Sequence, residues 1–173
     1  SDLGRAINTA RLILANNSEK KKPEIIELIG LREWGYGGYE GRDDNDLWIP
    51  LYKEVNVKFE KDWSTWDEFT SKMDDKAIAD AIAKNDSTKT AETYDQILIR
   101  SKAAMDQIIE EATAIGGGKV LVVSHGSEIP TILEMYAPDE YNGEAIGNVS
   151  LSILEYQNGK FTLKTIGNLD YLK

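Results

Sequence analysis

The sequence predicts an α/β fold, a three-layer sandwich in which helices flank a central, mostly parallel β-sheet. Segments with helical and with strand-like periodicity alternate along the chain, which is typical of such folds. Residues 119–124, KVLVVS, are an almost continuous apolar run of strand length, which favours a strand buried inside a parallel sheet. Residues 91–114 carry an apolar stripe at helical spacing, and predict the longest of the flanking helices.

Length and composition narrow the class of protein. With 173 residues, 41% of them hydrophobic, the sequence predicts a single domain over residues 1–173. The formal net charge of −10 argues against non-specific nucleic-acid binding, which needs a basic surface. No apolar run approaches the roughly 20 residues that span a bilayer. Since there is also no visible signal peptide and no cysteine, we expect a cytoplasmic protein with no membrane partner.

The first half of the chain contains a helix, a strand and a long loop. Residues 2–16 place apolar side chains at helical spacing after a capping residue, and predict a helix. Residues 24–31, EIIELIGL, are short and rich in isoleucine, which favours a strand. Residues 35–46 are rich in glycine and then acidic, and predict a loop. The following segment to about Thr90 is mixed, with two short helical patterns, STWDEFTSKM from a cap at Ser64 or Thr65 and then DDKAIADAIAKND.

The second half repeats the alternation. The glycines at 116–118 end the long helix, the strand at 119–124 follows, and Ser127 begins another helix that runs to about Met135. Near the end, two alternating segments surround Asn158-Gly159, a pair that strongly predicts a two-residue hairpin turn.

Side chains that could bind a ligand or act in catalysis lie where the predicted strands end. This is the edge at which open α/β sheets bind ligands. His125, the only histidine, directly follows the strand at 119–124. Gly126 and Ser127 would present free backbone N–H groups at the start of the next helix, which suits an anion. From position alone, His125 can ligate a metal, act as an acid or base, donate to phosphate, or simply tie the strand to the loop.

Two further residues favour a phosphate site. Arg5 lies in the first turn of the first predicted helix, where its guanidinium adds to the positive end of the helix dipole. Glu33 lies just past a strand end, beside the glycine-rich turn. If both converge with His125, the arginine and histidine can stabilise charge on phosphoryl oxygens while the glutamate protonates a leaving oxygen.

Other chemistries fit the sequence less well. Ser124 lies in VVSHG and lacks the glycines of a G-x-S-x-G nucleophile elbow. The acidic run around Asp43 lacks the glycine and distal glutamate of a calcium loop, and is expected to be a solvated loop. One histidine and scattered carboxylates do not supply a zinc site. We therefore predict no metal.

Four segments, in order, resemble the histidine phosphatase superfamily, the phosphoglycerate mutase-like family. SDLGRAINTARLIL is similar to its S-D-L-x-R-A-x-x-T-A helix, LREWGYGGYEG to its L-x-E-x-x-x-G-x-x-E-G segment, and VLVVSHGSEIPTIL to its V-V-x-H-G strand and helix. IGNVSLSILEYQNG resembles the segment that carries a late asparagine and a hairpin. The resemblance implies a phosphoglycerate mutase-like fold and transfer of a phosphoryl group from a small phosphorylated substrate, with no metal and no cofactor.

The resemblance also implies roles for individual residues. Arg5 would bind the phosphate, Glu33 would be the catalytic proton donor, and His125 would be a catalytic residue that contacts the transferring phosphoryl group. Gly126 would contribute its backbone N–H to phosphate binding. Residues 44–90 would form a helical, lid-like insertion over the pocket, or a peripheral subdomain whose tryptophans pack into a small core of their own.

The nucleophile that the family uses has no counterpart in this sequence. The resemblance implies a second histidine, in an R-H-G motif on the first strand of the sheet, and the chain contains neither. We therefore expect the first strand of the sheet to be missing from this chain. Either a missing N-terminal segment or a partner in a homodimer would complete the fold. The leading hypothesis is a phosphomonoester hydrolase that forms phosphohistidine, because GYGGYEG resembles phosphatases more than glycolytic mutases. A phosphoglycerate-type phosphomutase and a catalytically inactive module that binds phosphate or phosphoproteins remain alternatives.

Overall fold

The computed structural model describes residues 1–18 and 22–172. These residues form two compact units, one made of Ser1–Glu33 and Arg100–Lys173 and the other of Trp34–Ile99. Helices dominate, and no helix in this part of the chain is long and apolar enough to cross a membrane. In chain order, the α-helices and β-strands are α1 (Gly4–Ala15), α2 (Asp44–Glu54), α3 (Trp66–Thr70), α4 (Asp75–Asn85), α5 (Tyr94–Ala114), α6 (Glu128–Tyr136), β1 (Leu151–Gln157) and β2 (Lys160–Asn168).

Most helices lie where the apolar spacing predicts them. The predicted helices at 2–16 and 91–114 correspond to α1 and α5, and the helix predicted from Ser127 corresponds to α6. The exception is α2, which begins inside the predicted loop at 35–46. Asp43 caps this helix by accepting a hydrogen bond from the Asn45 N–H, and acidic residues in its first turn complement the helix dipole. The acidic run that the sequence places in a solvated loop is therefore a helix start.

The predicted central parallel sheet is wrong for the described residues. Within them, β1 and β2 form a two-stranded antiparallel sheet, and neither 24–31 nor 119–124 belongs to a sheet. The first of these segments is irregular and ends in a 3₁₀ turn, and the second leaves Val120 55% and Leu121 56% exposed. An apolar run indicates a tendency to be buried, whereas a strand also needs a neighbour whose backbone completes the hydrogen bonds.

The C-terminal hairpin confirms the sequence prediction. Asn158 and Gly159 have φ of 53° and 81°, the left-handed pair that a tight two-residue hairpin turn requires. The strands pair Tyr156 with Phe161, and the ring of Phe161 lies 4.6 Å from that of Tyr136 on α6. The hairpin therefore packs on the core of the first unit, which buries Leu31, Ala104, Met105 and Ile132.

The unit Trp34–Ile99 has its own aromatic core. Tyr52 on α2 and Phe69 on α3 are fully buried and stack with ring centroids 4.0 Å apart. Trp48, Trp63 and Trp66 pack edge-to-face against one another, with centroids 5.4 to 5.6 Å apart. This packing fits the expectation that the tryptophans of this segment form a small core of their own. The lid-like role of residues 44–90 stays a prediction.

We expect Phe69→Ala to destabilise this unit strongly. The substitution leaves a cavity beside Tyr52, and a buried phenylalanine truncated to alanine costs about 3–5 kcal/mol. All four tryptophans of the chain lie in the unit, so tryptophan fluorescence during urea unfolding reports on it directly. Ile99→Ala is the control, because Ile99 is 71% exposed and its truncation is expected to leave the urea midpoint nearly unchanged. Equal midpoints for Phe69→Ala and the wild type would contradict the packing described.

Candidate active site

Arg5 and His125 are in direct contact. The first turn of α1 carries Arg5, whose Nε donates a hydrogen bond to Nδ1 of His125 at 3.1 Å. Arginine can only donate, so Nδ1 accepts and the ring proton lies on Nε2. Nε2 is 2.9 Å from Oγ of Ser1, which therefore accepts from it. The two residues that the sequence predicts to bind phosphate are thus brought together, with His125 as a neutral donor.

The surroundings of His125 keep it neutral. The residue is 7% exposed, and burial, followed by the positive charge of Arg5, lowers the pKa of His125 to about 4. At neutral pH its Nε2–H is a hydrogen-bond donor without a full charge. A bound phosphate dianion would offset the charge of Arg5, so ligand binding is expected to raise this pKa.

A single NMR titration tests this arrangement, because His125 is the only histidine in the chain. We expect a neutral Nε2–H tautomer at pH 7 and a pKa of about 4, and Arg5→Leu should raise the pKa. Arg11→Leu, an exposed arginine on the same helix, is the control and should leave it unchanged. The unfolded state takes up this proton near pH 6.5, so the contribution of His125 to stability declines as the pH falls from 6.5 towards 4. A pKa near 6.5 in the folded protein would contradict the contact.

Glu33 lies against the start of α6. Its carboxylate accepts hydrogen bonds from the backbone N–H of Ser127, at 3.1 and 3.3 Å, and of Glu128, at 3.2 Å. Gly126 directly follows His125 in the chain, and a Cβ at this glycine would lie 3.8 Å from Oε2 of Glu33. The structure therefore groups Arg5, His125, Gly126 and Glu33, as the sequence predicts.

One expectation about this helix start needs correction. The sequence predicts that the N–H groups of Gly126 and Ser127 are both free for an anion, but the Ser127 N–H already donates to Glu33. A carboxylate at a helix N-terminus satisfies the same donors and dipole as a bound phosphate would. Among the described residues, no group accepts from the N–H of Gly126. The predicted anion contact therefore remains available at Gly126 alone of these two.

A second layer of polar residues supports Glu33, and sequence reasoning missed it. Arg100 on α5 donates to the carbonyl oxygens of Gly30, Arg32 and Glu33 at 2.9, 3.0 and 3.1 Å. The same guanidinium reaches the buried carboxylate of Glu128 at 3.1 Å.

Within 1–18 and 22–172, no group of three His, Cys, Asp or Glu side chains could hold a metal ion.

Two features of the sequence could have indicated this layer. Ser101 is a polar residue within the apolar stripe of α5, and its hydroxyl donates to Glu128 at 2.6 Å. Glu128 itself is a charged residue at the start of the strongly apolar helix α6. A polar side chain on a buried face needs a buried partner, so the sequence marks both positions as ones that need a partner, without saying which.

Comparison with known proteins decides the family. The chain matches the model of the histidine phosphatase superfamily (branch 1) over residues 1–169. It belongs to this superfamily. A search of curated proteins found no match. Among solved structures, the chain is similar to the phosphoglycerate mutase from Bacillus anthracis str. Sterne, at 35% sequence identity and with a TM-score of 0.85.

The structural match covers 99% of this chain and 72% of the Bacillus anthracis chain. A histidine phosphatase superfamily enzyme is therefore the right description of this protein, and its fold is similar to that of a phosphoglycerate mutase. The resemblance stated from the four sequence segments is confirmed.

Proposed function

We propose that this enzyme is a phosphomonoester hydrolase that acts on small phosphorylated substrates through a phosphohistidine intermediate. The observation that carries the proposal is the grouping around Gly126. Arg5 can donate to phosphoryl oxygens, the Nε2–H of His125 can do so when such an oxygen replaces the Ser1 hydroxyl, and the carboxyl group of Glu33 lies near Gly126. Such a grouping supports a site in which hydrogen-bond donors bind a phosphoryl group and a proton donor lies beside it.

We place the nucleophile on a histidine outside this chain, on an N-terminal segment. Both ring nitrogens of His125 are engaged, Nδ1 by Arg5 and Nε2 by Ser1, so its ring is arranged to donate to an oxygen rather than to attack phosphorus. The exposed apolar segment Val120–Val122 supports a further strand there, because strand pairing would complete its backbone hydrogen bonds and cover its side chains.

The proposed reaction has two steps and requires no metal or cofactor. First, the histidine nitrogen bonds to phosphorus, the bond from phosphorus to the leaving oxygen breaks, and Glu33 gives its proton to that oxygen. Then water attacks phosphorus, the carboxylate of Glu33 takes a proton from that water, and the nitrogen–phosphorus bond breaks to release phosphate. Arg5 and His125 stabilise the charge on the phosphoryl oxygens in both steps.

A labelling experiment tests the proposal. The chain extended by the segment encoded immediately upstream is mixed with ³²P-labelled phosphomonoester and quenched within a turnover. We expect label that is stable to base and labile to acid, as for phosphohistidine, on the upstream segment and not on His125. The unextended chain should take up no label. Label on a serine or on His125, or turnover by the unextended chain, would contradict the assignment of the nucleophile.

Two alternatives have specific observations behind them. The similarity to the Bacillus anthracis phosphoglycerate mutase favours a phosphomutase, which returns the phosphoryl group to a second hydroxyl. Product analysis with phosphoglycerate separates isomerisation from release of phosphate. The single histidine favours a phosphate- or phosphoprotein-binding module, in which the chain binds phosphate but neither extension nor dimerisation gives turnover. We also propose a cytoplasmic location, and a homodimer remains the alternative to the N-terminal segment.

A further inference from the structure

A closed ring of contacts connects Glu33 to the start of α6. The Glu128 N–H holds the side chain of Glu33 at 3.2 Å. The guanidinium of Arg100 donates to the carboxylate of Glu128 at 3.1 Å. The same guanidinium donates to the carbonyl oxygen of Glu33 at 3.1 Å. The backbone N–H of Glu128 therefore fixes the carboxylate of Glu33. The side chain of Glu128 fixes the backbone of Glu33 through Arg100.

The ring is buried and its members have limited alternatives. The side chain of Glu128 is fully buried and that of Arg100 is 14% exposed. Ser101 donates to the other oxygen of Glu128 at 2.6 Å, so both of its carboxylate oxygens have a partner. Removing one member of a buried pair of this kind leaves an uncompensated charge, which removing both members together avoids.

Close backbone packing holds the ring together. A Cβ on Gly30 would overlap the carbonyl oxygen of Arg100 and would lie 2.7 Å from Cβ of Ala104. The 3₁₀ turn that precedes Glu33 thus contacts α5 directly, and a side chain at this position would push the turn away. Arg100 reaches the carbonyl oxygens of Gly30 and Arg32 from this close approach.

We propose that Arg100 and Glu128 are positioning residues that aim the Glu33 carboxyl group at the leaving oxygen. The inference rests on the proposed function of Glu33 as proton donor. It makes a specific demand on kinetics, because protonation matters most for leaving groups that are poor as anions. An alkyl phosphate depends on a well-placed proton, while p-nitrophenyl phosphate departs as a stable anion. Loss of the ring should therefore change the ratio of the two rates.

The kinetic test uses the chain with the upstream segment. We expect Arg100→Lys and Glu128→Gln to lower kcat for an alkyl phosphate about 10- to 100-fold, the range that a misplacement near 1 Å can cause. The rate with p-nitrophenyl phosphate should fall by much less. Lys102→Met, which removes an exposed ion pair with Asp106 on the same helix, is the control and should leave the ratio unchanged.

A double variant separates positioning from folding. Arg100→Met with Glu128→Leu removes both charges together, so it should be more stable than Glu128→Leu alone, which leaves the Arg100 charge without its partner, while the alkyl phosphate rate stays low. If this variant recovers the wild-type ratio of rates, the pair is only structural and the inference is overturned. Equal loss for both substrates in the single variants overturns it as well.

Hydrogen exchange keeps the inference testable without turnover. In the unextended chain, the amide protons of Ser127 and Glu128 should exchange slowly, because the Glu33 carboxyl group accepts hydrogen bonds from both. In Arg100→Lys this protection should decrease. If the two amides are protected but the extended chain shows no hydrolysis, the proposed function fails while the ring of contacts stands. If they exchange in the wild type as fast as unprotected amides, the ring of contacts is refuted.

Discussion

Glu33→Gln is expected to abolish most turnover of alkyl phosphates by the extended chain. Glutamine keeps a carbonyl oxygen that can still accept from the N–H groups of Ser127 and Glu128, so the loop should stay in place. It cannot give up a proton to the leaving oxygen or take one from water. General acid–base catalysis contributes about 10²–10⁴-fold, so kcat for an alkyl phosphate should fall by about that factor.

The measurement compares leaving groups. For Glu33→Gln, the first step with p-nitrophenyl phosphate should be affected much less than with an alkyl phosphate, which a rapid-quench burst of p-nitrophenol resolves. Glu27→Gln removes an exposed carboxylate from the same segment and serves as the control, with no expected change. If Glu33→Gln slows both leaving groups equally in the burst phase, Glu33 is not the proton donor.

The second large effect is expected at His125. His125→Ala removes the Nε2–H donor and also leaves the guanidinium of Arg5 without its Nδ1 acceptor. Loss of one such donor to a developing charge costs about 10²–10³-fold in kcat, and we expect a loss in this range. Binding of inorganic phosphate or vanadate to the unextended chain should weaken as well, which calorimetry measures without any turnover.

The choice of substitution distinguishes donation from packing. His125→Gln retains an N–H near the position of Nε2, so it should recover part of the activity and of the phosphate affinity. His125→Leu fills the space without a donor and should behave like alanine. If leucine preserves phosphate affinity and glutamine does not, the ring of His125 contributes by packing and its proposed role as phosphate donor is wrong.

Two buried titratable groups, His125 and Glu128, contribute to stability with opposite pH dependence. Burial raises the pKa of Glu128 to about 7, so the folded state holds that proton more tightly than the unfolded state. The contribution of protonated Glu128 to stability is therefore present at low pH and declines as the pH rises towards 7, whereas the contribution of His125 declines as the pH falls from 6.5. At pH values below 6.5, a change in pH therefore moves the stability contributions of His125 and Glu128 in opposite directions.

The sequence predicts local features of this fold well and the non-local ones poorly. The helices α1, α4, α5 and α6 follow from apolar side chains at helical spacing, and the hairpin follows from Asn158-Gly159, because each depends on residues close in the chain. The strand at 119–124 needs a paired neighbour that local sequence cannot supply, and within the described residues it has none.

The candidate site divides in the same way. Arg5, Glu33, His125 and Gly126 could be named from the sequence, because residues at helix starts and after apolar runs are the ones a fold of this class exposes to a ligand. The distances between these residues could not be predicted from the sequence, because the residues lie on segments that are far apart in the chain. Arg5 and His125, for example, are separated by 120 positions and meet in a hydrogen bond of 3.1 Å.

The sequence by itself indicated the family and determined most of the helices, the hairpin and the identity of the side chains that could bind a phosphoryl group or transfer a proton to it. Only the tertiary structure decided the tautomer of His125, the occupation of the Ser127 N–H by Glu33, and the ring through Arg100 and Glu128. The physical reason is that donors and acceptors are present in the sequence as residue types, whereas which donor meets which acceptor depends on distance and burial, and those exist only once the chain has folded.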